Sequence, residues 1–231
     1  MSDEATHIIT GMETQKRNAR RVNVHVDGVY AFSLSLDEAA RLHKGQVLTG
    51  ADIARLQGED EVQRAVDRAL RFLAVRPRSE QEVRQSLRLK EVPPAVIDLA
   101  LERLRTLGYL DDHAFAEFWA SDRRQFKPLS TRALRYELRQ KGVSADIIDD
   151  VVREQDDSEE AYRAAQSQIR RVRSAQPQEL RQKLMAFLAR RGFGPGVSRT
   201  AVNRLLDELE EEGRFVAASA EDDTGDFESE L

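Results

Sequence analysis

Residues 79–98 read SEQEVRQSLRLKEVPPAVID, and residues 130–149 read STRALRYELRQKGVSADIID. Laid over each other at a shift of 51, they agree at Ser79/Ser130, Arg84/Arg135, Leu87/Leu138, Arg88/Arg139, Lys90/Lys141, Val92/Val143, Ile97/Ile148 and Asp98/Asp149. Eight identities in twenty positions exceed what unrelated segments share, so the chain contains an internal repeat. A weaker third copy lies at a shift of 50, where Leu134/Leu184, Leu138/Leu188, Lys141/Arg191 and Gly142/Gly192 align. It is read with an insertion, Gly194-Pro195-Gly196-Val197, ahead of Ser198.

Outward from these strings the pattern is helical. Apolar residues recur at three- and four-residue spacing, as in Val62, Val66, Ala69, Leu70 and Leu73, then Val96, Ile97, Ala100, Leu101 and Leu104. Pro77, Pro93-Pro94, Gly108, Pro128, Gly142, Pro177 and Gly192 punctuate the runs. Ser79, with Glu82 three residues on, forms a capping box; Ser130 caps the second copy, and Gly142 and Gly192 suit the left-handed residue past a helix end. The expected body is three tandem three-helix repeats over 62–112, 113–155 and 158–212. Short helices are stable only when packed, so the repeats should stack into an elongated array.

The N-terminal part differs. Arg21 to Val26 and Val29 to Leu34 alternate apolar and polar residues around Asp27-Gly28, the strongest short-range hairpin signal. Residues 6–57 are therefore expected to form a small β-hairpin and helix module, with Ile8-Ile9-Thr10 as a third strand and a junction at Gly58-Glu59-Asp60-Glu61. The fold class is mainly α with this one small β module. Residues 1–5 and 213–231 are expected to be disordered.

The formal net charge of −5 conceals a segregation. Residues 207–231 hold eleven acids against Arg214, whereas residues 163–206 hold ten Lys/Arg against Glu179. Thirty of the 36 basic side chains are arginine, whose planar fork fits carboxylates and phosphates in two-point contact. A basic body beside an acidic tail reads as an interaction protein whose tail competes for the basic surface. The chain has no cysteine, which excludes disulfides and thiolate chemistry and suits the cytoplasm. It has no apolar run of membrane-spanning length.

Catalytic signatures are missing. His7, His25, His43 and His113 show no metal-ligand spacing, and no phosphate-cradling glycine loop or nucleophile elbow occurs. Asp111-Asp112, Asp149-Asp150 and Asp156-Asp157 are read as helix-start acids that favour the macrodipole. No enzyme activity, cofactor or metal is expected.

Basic residues instead recur at repeat-related places. Arg132, Arg135 and Arg139 fall at i, i+3 and i+7 on one stripe, opposite Leu134 and Leu138, and Arg84 and Arg88 are the first-repeat equivalents. Arg76, Arg78, Arg123, Arg124 and Lys127 flank the loops before the second helices, and Lys141 and Arg191 end those helices. The third repeat adds Arg170, Arg171, Arg173, Arg181, Lys183 and Arg190, although Met185 and Ala189 stand at the places of Arg135 and Arg139. About half of these residues should be ordinary ion-paired surface. The rest form a sequence-tolerant phosphate track or a surface for an acidic protein. Tyr109, Phe115, Phe118 and Trp119 are expected to pack between repeats, and Tyr136 lies off the leucine face.

The strings Arg76-Pro77-Arg78-Ser79-Glu80, Gly108-Tyr109-Leu110-Asp111-Asp112, Phe115-Ala116, Trp119, Lys127-Pro128 and Lys141-Gly142-Val143, in this order, resemble the RecX family of bacterial recombination regulators. The match is closest over 62–155 and continues more loosely to about 212. The resemblance implies a cytoplasmic, monomeric, non-enzymatic modulator of RecA, active in recombination, DNA repair and the SOS response. It implies a protein lying along the RecA filament on single-stranded DNA, restraining ATP hydrolysis, strand exchange and filament growth. The alternative is a stand-alone, sequence-independent nucleic-acid-binding helical repeat protein.

Overall fold

The computed structural model describes residues 6–16, 18–169 and 177–212. They divide into two compact units, one within residues 6–116 with 141–143, the other within residues 117–140 with 144–212.

The first unit opens with an antiparallel sheet in the order β3-β2-β1-β4, of β1 (Thr6–Gln15), β2 (Asn18–Val26), β3 (Val29–Ser35) and β4 (Val47–Thr49). The hairpin forms where the alternation places it: Asp27 and Gly28 both take positive φ, 51° and 84°, and join β2 to β3. The expected third strand extends to ten residues, and a fourth pairs with it. The inward set of Ile9, Val22, Val24, Val26, Phe32 and Leu34 packs with Ala39 of α1 (Leu36–Ala39), Leu48 and Leu56.

One boundary differs from expectation. Residues 58–61 do not separate module from repeat; they lie inside α2 (Gly50–Leu73), a continuous helix capped by Thr49 and Asp52. Gly58 alone does not break a helix whose flanks are amphipathic. Asp60 fixes the sheet to this helix. It is buried, it accepts from Arg21 of β2 at 3.0 Å, and Arg64 pairs with it at 3.0 Å.

With α3 (Glu80–Arg88) and α4 (Pro94–Thr106), α2 forms the first three-helix repeat around Ala65, Val66, Ala69, Val83, Leu87, Ile97, Leu101 and Leu104. The second repeat comprises α5 (Asp112–Phe126), α6 (Thr131–Gln140) and α7 (Ala145–Val151). The third comprises α8 (Asp157–Ile169), α9 (Pro177–Arg190) and α10 (Pro195–Glu211). Its core holds Leu180, Leu184, Leu188, Phe193, Val202 and Leu205.

The third repeat needs no insertion. Gly194 is the N-cap residue of α10 as Ser144 is of α7, and the buried pairs Val143/Phe193, Ile148/Ser198 and Val152/Val202 keep the shift of 50 throughout. Gly194-Pro195-Gly196 is the start of a helix, with proline pre-set for the first turn. Asp112 and Asp157 do open helices, but Asp149 and Asp150 lie at the end of α7, where they pair with Arg135 and Arg153.

Candidate nucleic-acid interface

The amphipathic pattern of α3 and α6 decides which side chains leave the core. Val83 and Leu87, and their equivalents Leu134 and Leu138, are buried, which turns the arginines of both helices outward. The repeat then reproduces an ion pair as well as a fold. Arg84 pairs with Asp98, and Arg135 pairs with Asp149 at the equivalent place. Glu80 also meets Arg84 at 3.3 Å and Arg105 at 2.8 Å; the bonds from Arg105 chiefly hold its carboxyl below the usual range.

This sorts the expected track into two classes. Several of its members are braced by carboxylates. Arg76 and Lys141 share Glu82 at 2.9 and 2.8 Å, Arg124 meets Glu160 at 3.6 Å, and Lys183 meets Glu179 at 2.5 Å. Arg123 sits on Glu137 and Asp122, each at 2.7 Å, with its guanidinium 4.0 Å over the Trp119 ring, and Lys127 reaches Glu137 at 3.6 Å. Burial pushes Glu137 up, but the donors Arg123 and Trp119 outweigh it, so the carboxyl titrates below its ordinary value.

The remaining members differ in what holds them. Arg88, Arg139 and Arg190 are exposed with no ion pair among the described residues. Arg132 is exposed and, among the described residues, reaches only the Gly192 carbonyl at 3.4 Å, and Arg181 donates to Asn203 at 2.5 Å. Arg191 lies 4.9 Å over Phe187 and donates to the Pro128 carbonyl at 3.5 Å. Arg78 lies 4.1 Å over Phe72; its buried Nε has no hydrogen-bond partner among the described residues, and burial, reinforced by Arg76, lowers its pKa. Arg170, Arg171 and Arg173 lie outside the described residues.

Two motif strings meet in one place. Arg76, Pro77 and Arg78 line a cleft of about 640 Å³ with Gly108, Tyr109, Asp111 and Phe115. Of the aromatics expected to pack between repeats, Phe115 is buried, whereas Tyr109 is 57% and Phe118 42% exposed. Trp119 is half-buried and donates from its indole N–H to Glu137 at 2.9 Å.

A further basic stripe escaped the sequence reading. Arg64, Arg68 and Arg71 of α2 are exposed at i, i+4 and i+7, which places them on one helical stripe. Among the described residues no group of three or more His, Cys, Asp or Glu could hold a metal ion, and no helix is long and apolar enough to cross a membrane.

Comparison with known proteins covers nearly the whole described chain. Family models match in chain order: the regulatory protein RecX N-terminal domain over residues 7–49, and the first, second and third three-helix domains of RecX over 59–104, 111–152 and 154–202. Regulatory protein RecX of Listeria monocytogenes is 33% identical over 207 residues, which cover 87% of this chain and 77% of the relative. That of Bacillus subtilis is 34% identical over 209 residues, 88% of this chain and 79% of the relative. A crystal structure of regulatory protein RecX superposes with a TM-score of 0.68 at 28% identity, covering 85% of this chain and 99% of the other. The crystal structure of RecX from Lactobacillus salivarius, at 20% identity and a TM-score of 0.54, shares the fold.

Proposed function

Because this chain belongs to the RecX family of regulatory proteins, we propose that it regulates RecA by lying along the RecA filament on single-stranded DNA. It acts there by binding, without chemistry of its own, and restrains ATP hydrolysis, strand exchange and filament growth. The observation that carries this reading is the recurrence of one surface device in tandem. Arg84 and Arg135 are turned to Asp98 and Asp149, while Arg88 and Arg139, one turn further along the same helices, stay unneutralised. A helical filament presents the same anionic or acidic feature at regular intervals. Tandem modules that each bind weakly then gain from effective concentration rather than from one strong site. The basic residues of the first two repeats, with Arg181, Lys183, Arg190 and Arg191 of the third, form the surface from which such contacts are drawn.

The test is the single-stranded-DNA-dependent ATPase of RecA at low salt. Hydrolysis is expected to fall at near-stoichiometric ratios of this protein to RecA, and unchanged hydrolysis at large excess would discard the proposal. A protein that only sequestered DNA would lose its effect once free DNA was raised well above RecA. Inhibition that persists under those conditions belongs to the filament.

A further inference from the structure

Tyr136 stands out on α6. It is 64% exposed, and among the described residues its ring meets no other aromatic and its hydroxyl meets no hydrogen-bond partner. A tyrosine kept for packing buries its ring and pairs its hydroxyl; this one does neither. It sits between Arg132 and Arg139 at i, i+4 and i+7, so the three side chains share one outward stripe about 10 Å long. The charges alongside are already committed. Arg135 turns to Asp149, and Glu137 turns to Trp119 and Arg123, so no carboxylate neutralises the stripe from its own helix.

The repeat supplies an internal control. At the places of Arg132, Tyr136 and Arg139 the first repeat carries Gln81, Gln85 and Arg88, and the third carries Gln182, Ala186 and Ala189. The fold therefore does not require an aromatic or a cation pair there, and only the second repeat has them.

We propose that Arg132, Tyr136 and Arg139 form a direct binding site for single-stranded nucleic acid, with one base stacked on the Tyr136 ring and phosphates held by the two arginines. An open ring flanked by unneutralised guanidinium groups suits a flat base within an anionic backbone. An acidic peptide would use the arginines and leave the ring idle. The inference deepens the regulatory reading above and rests on it for biological meaning, but its test contains no RecA, so the two fail separately.

Anisotropy of a labelled oligothymidylate with the full-length chain at low salt, repeated over a salt series, reads the site. Tyr136→Ala should weaken binding by about 5- to 100-fold with an unchanged salt slope, since a stacked base rather than a phosphate contact is removed. Tyr136→Gln, which installs the first repeat's residue, should do the same with unaltered circular dichroism. Tyr136→Phe should bind like the parent, because stacking needs the ring and not the hydroxyl. Arg132→Ala and Arg139→Ala should each reduce the salt slope by about 0.7. Parent-like binding by Tyr136→Ala, or equal losses in the Ala and Phe variants, overturns the site. So does failure of the parent to bind the oligonucleotide, which leaves the RecA reading standing, or competition by poly-glutamate that is lost in Tyr136→Ala.

Discussion

Ser198 occupies the place that Ile97 and Ile148 hold in the other repeats. All three are buried, and the Ser198 hydroxyl has no hydrogen-bond partner among the described residues. An unsatisfied buried hydroxyl costs free energy that a methyl does not, so Ser198→Ala is expected to stabilise the protein by about 1 kcal/mol, read as a higher urea midpoint with unchanged slope. The sequence hid this position, because an assumed insertion carried Ser198 out of register with the two isoleucines. Glu137 makes a second residue-level case. Its carboxyl titrates below the ordinary 4.5 because Arg123 and Trp119 donate to the charged form despite burial. A depressed acid contributes stability above its unfolded value, and loses it as pH falls through the folded one. Trp119 is the chain's single tryptophan, so its emission should shift as the pH falls below about 4.5. Glu137→Gln should abolish that shift and lower stability at neutral pH by about 1 kcal/mol. That Arg135 leans to Asp149 was latent in the identity Asp98/Asp149. Helical spacing alone placed all three arginines of α6 on one stripe, because spacing fixes where a side chain leaves the backbone and not which carboxylate it then finds.

At the scale of elements, the repeat is an interlock. Two or three residues past each second helix the chain turns left-handed: Glu91 at φ 58°, Gly142 at 80° and Gly192 at 89°. Within the first unit, Ser79 accepts from the Glu82 amide and donates to the Lys141 carbonyl at 2.6 Å, and a Cβ on Gly142 would lie 2.5 Å from that of Gln81. Within the second unit, the Ser130 amide donates to the Arg191 carbonyl at 3.2 Å, and a Cβ on Gly192 would lie 2.6 Å from the Ser130 hydroxyl. The ends of the series lack one half of this joint. Glu91 keeps a side chain where no earlier three-helix repeat crowds it, and Leu180 replaces the serine where none follows among the described residues. Gly142→Ala should therefore cost about 2 kcal/mol or more, from left-handed strain plus the clash. Glu91→Gly should stabilise by about 0.5–1 kcal/mol, since relief of strain outweighs the added freedom of the unfolded chain. Chemical denaturation of the two variants checks both signs. The serine caps and glycine stops were legible as local signals. Their second role was not, because a contact between residues about 60 apart leaves no periodicity to read.

For the whole molecule, the governing quantity is the distribution of charge. The hairpin and the three repeats announced themselves through alternation and self-similarity, which are properties of packing. A binding face announces itself only through charge, and charge is redistributed by pairing that appears once the chain is folded. The acidic C-terminus sharpens the point. In α10, Glu208 is already engaged by Arg204 at 3.3 Å and by the Tyr162 hydroxyl. Residues 214–231 carry six acids and Arg214, and removing them takes the formal net charge from −5 to zero. A net-negative protein approaching a polyanion meets long-range repulsion, and a tethered acidic segment adds competition for the same guanidinium groups. Deleting 214–231 should accordingly tighten oligothymidylate binding at low salt. The gain should shrink as salt is raised and the Debye length falls below about 10 Å near 0.1 M. If the deletion acts on encounter alone, the association rate should rise while dissociation stays constant. If it removes a competitor, binding by the Arg132→Ala and Arg139→Ala variants should gain less from the deletion than binding by the parent. Equal affinity with and without the tail at every salt concentration would make the segment a bystander, and the basic body alone would then set the protein's hold on its target.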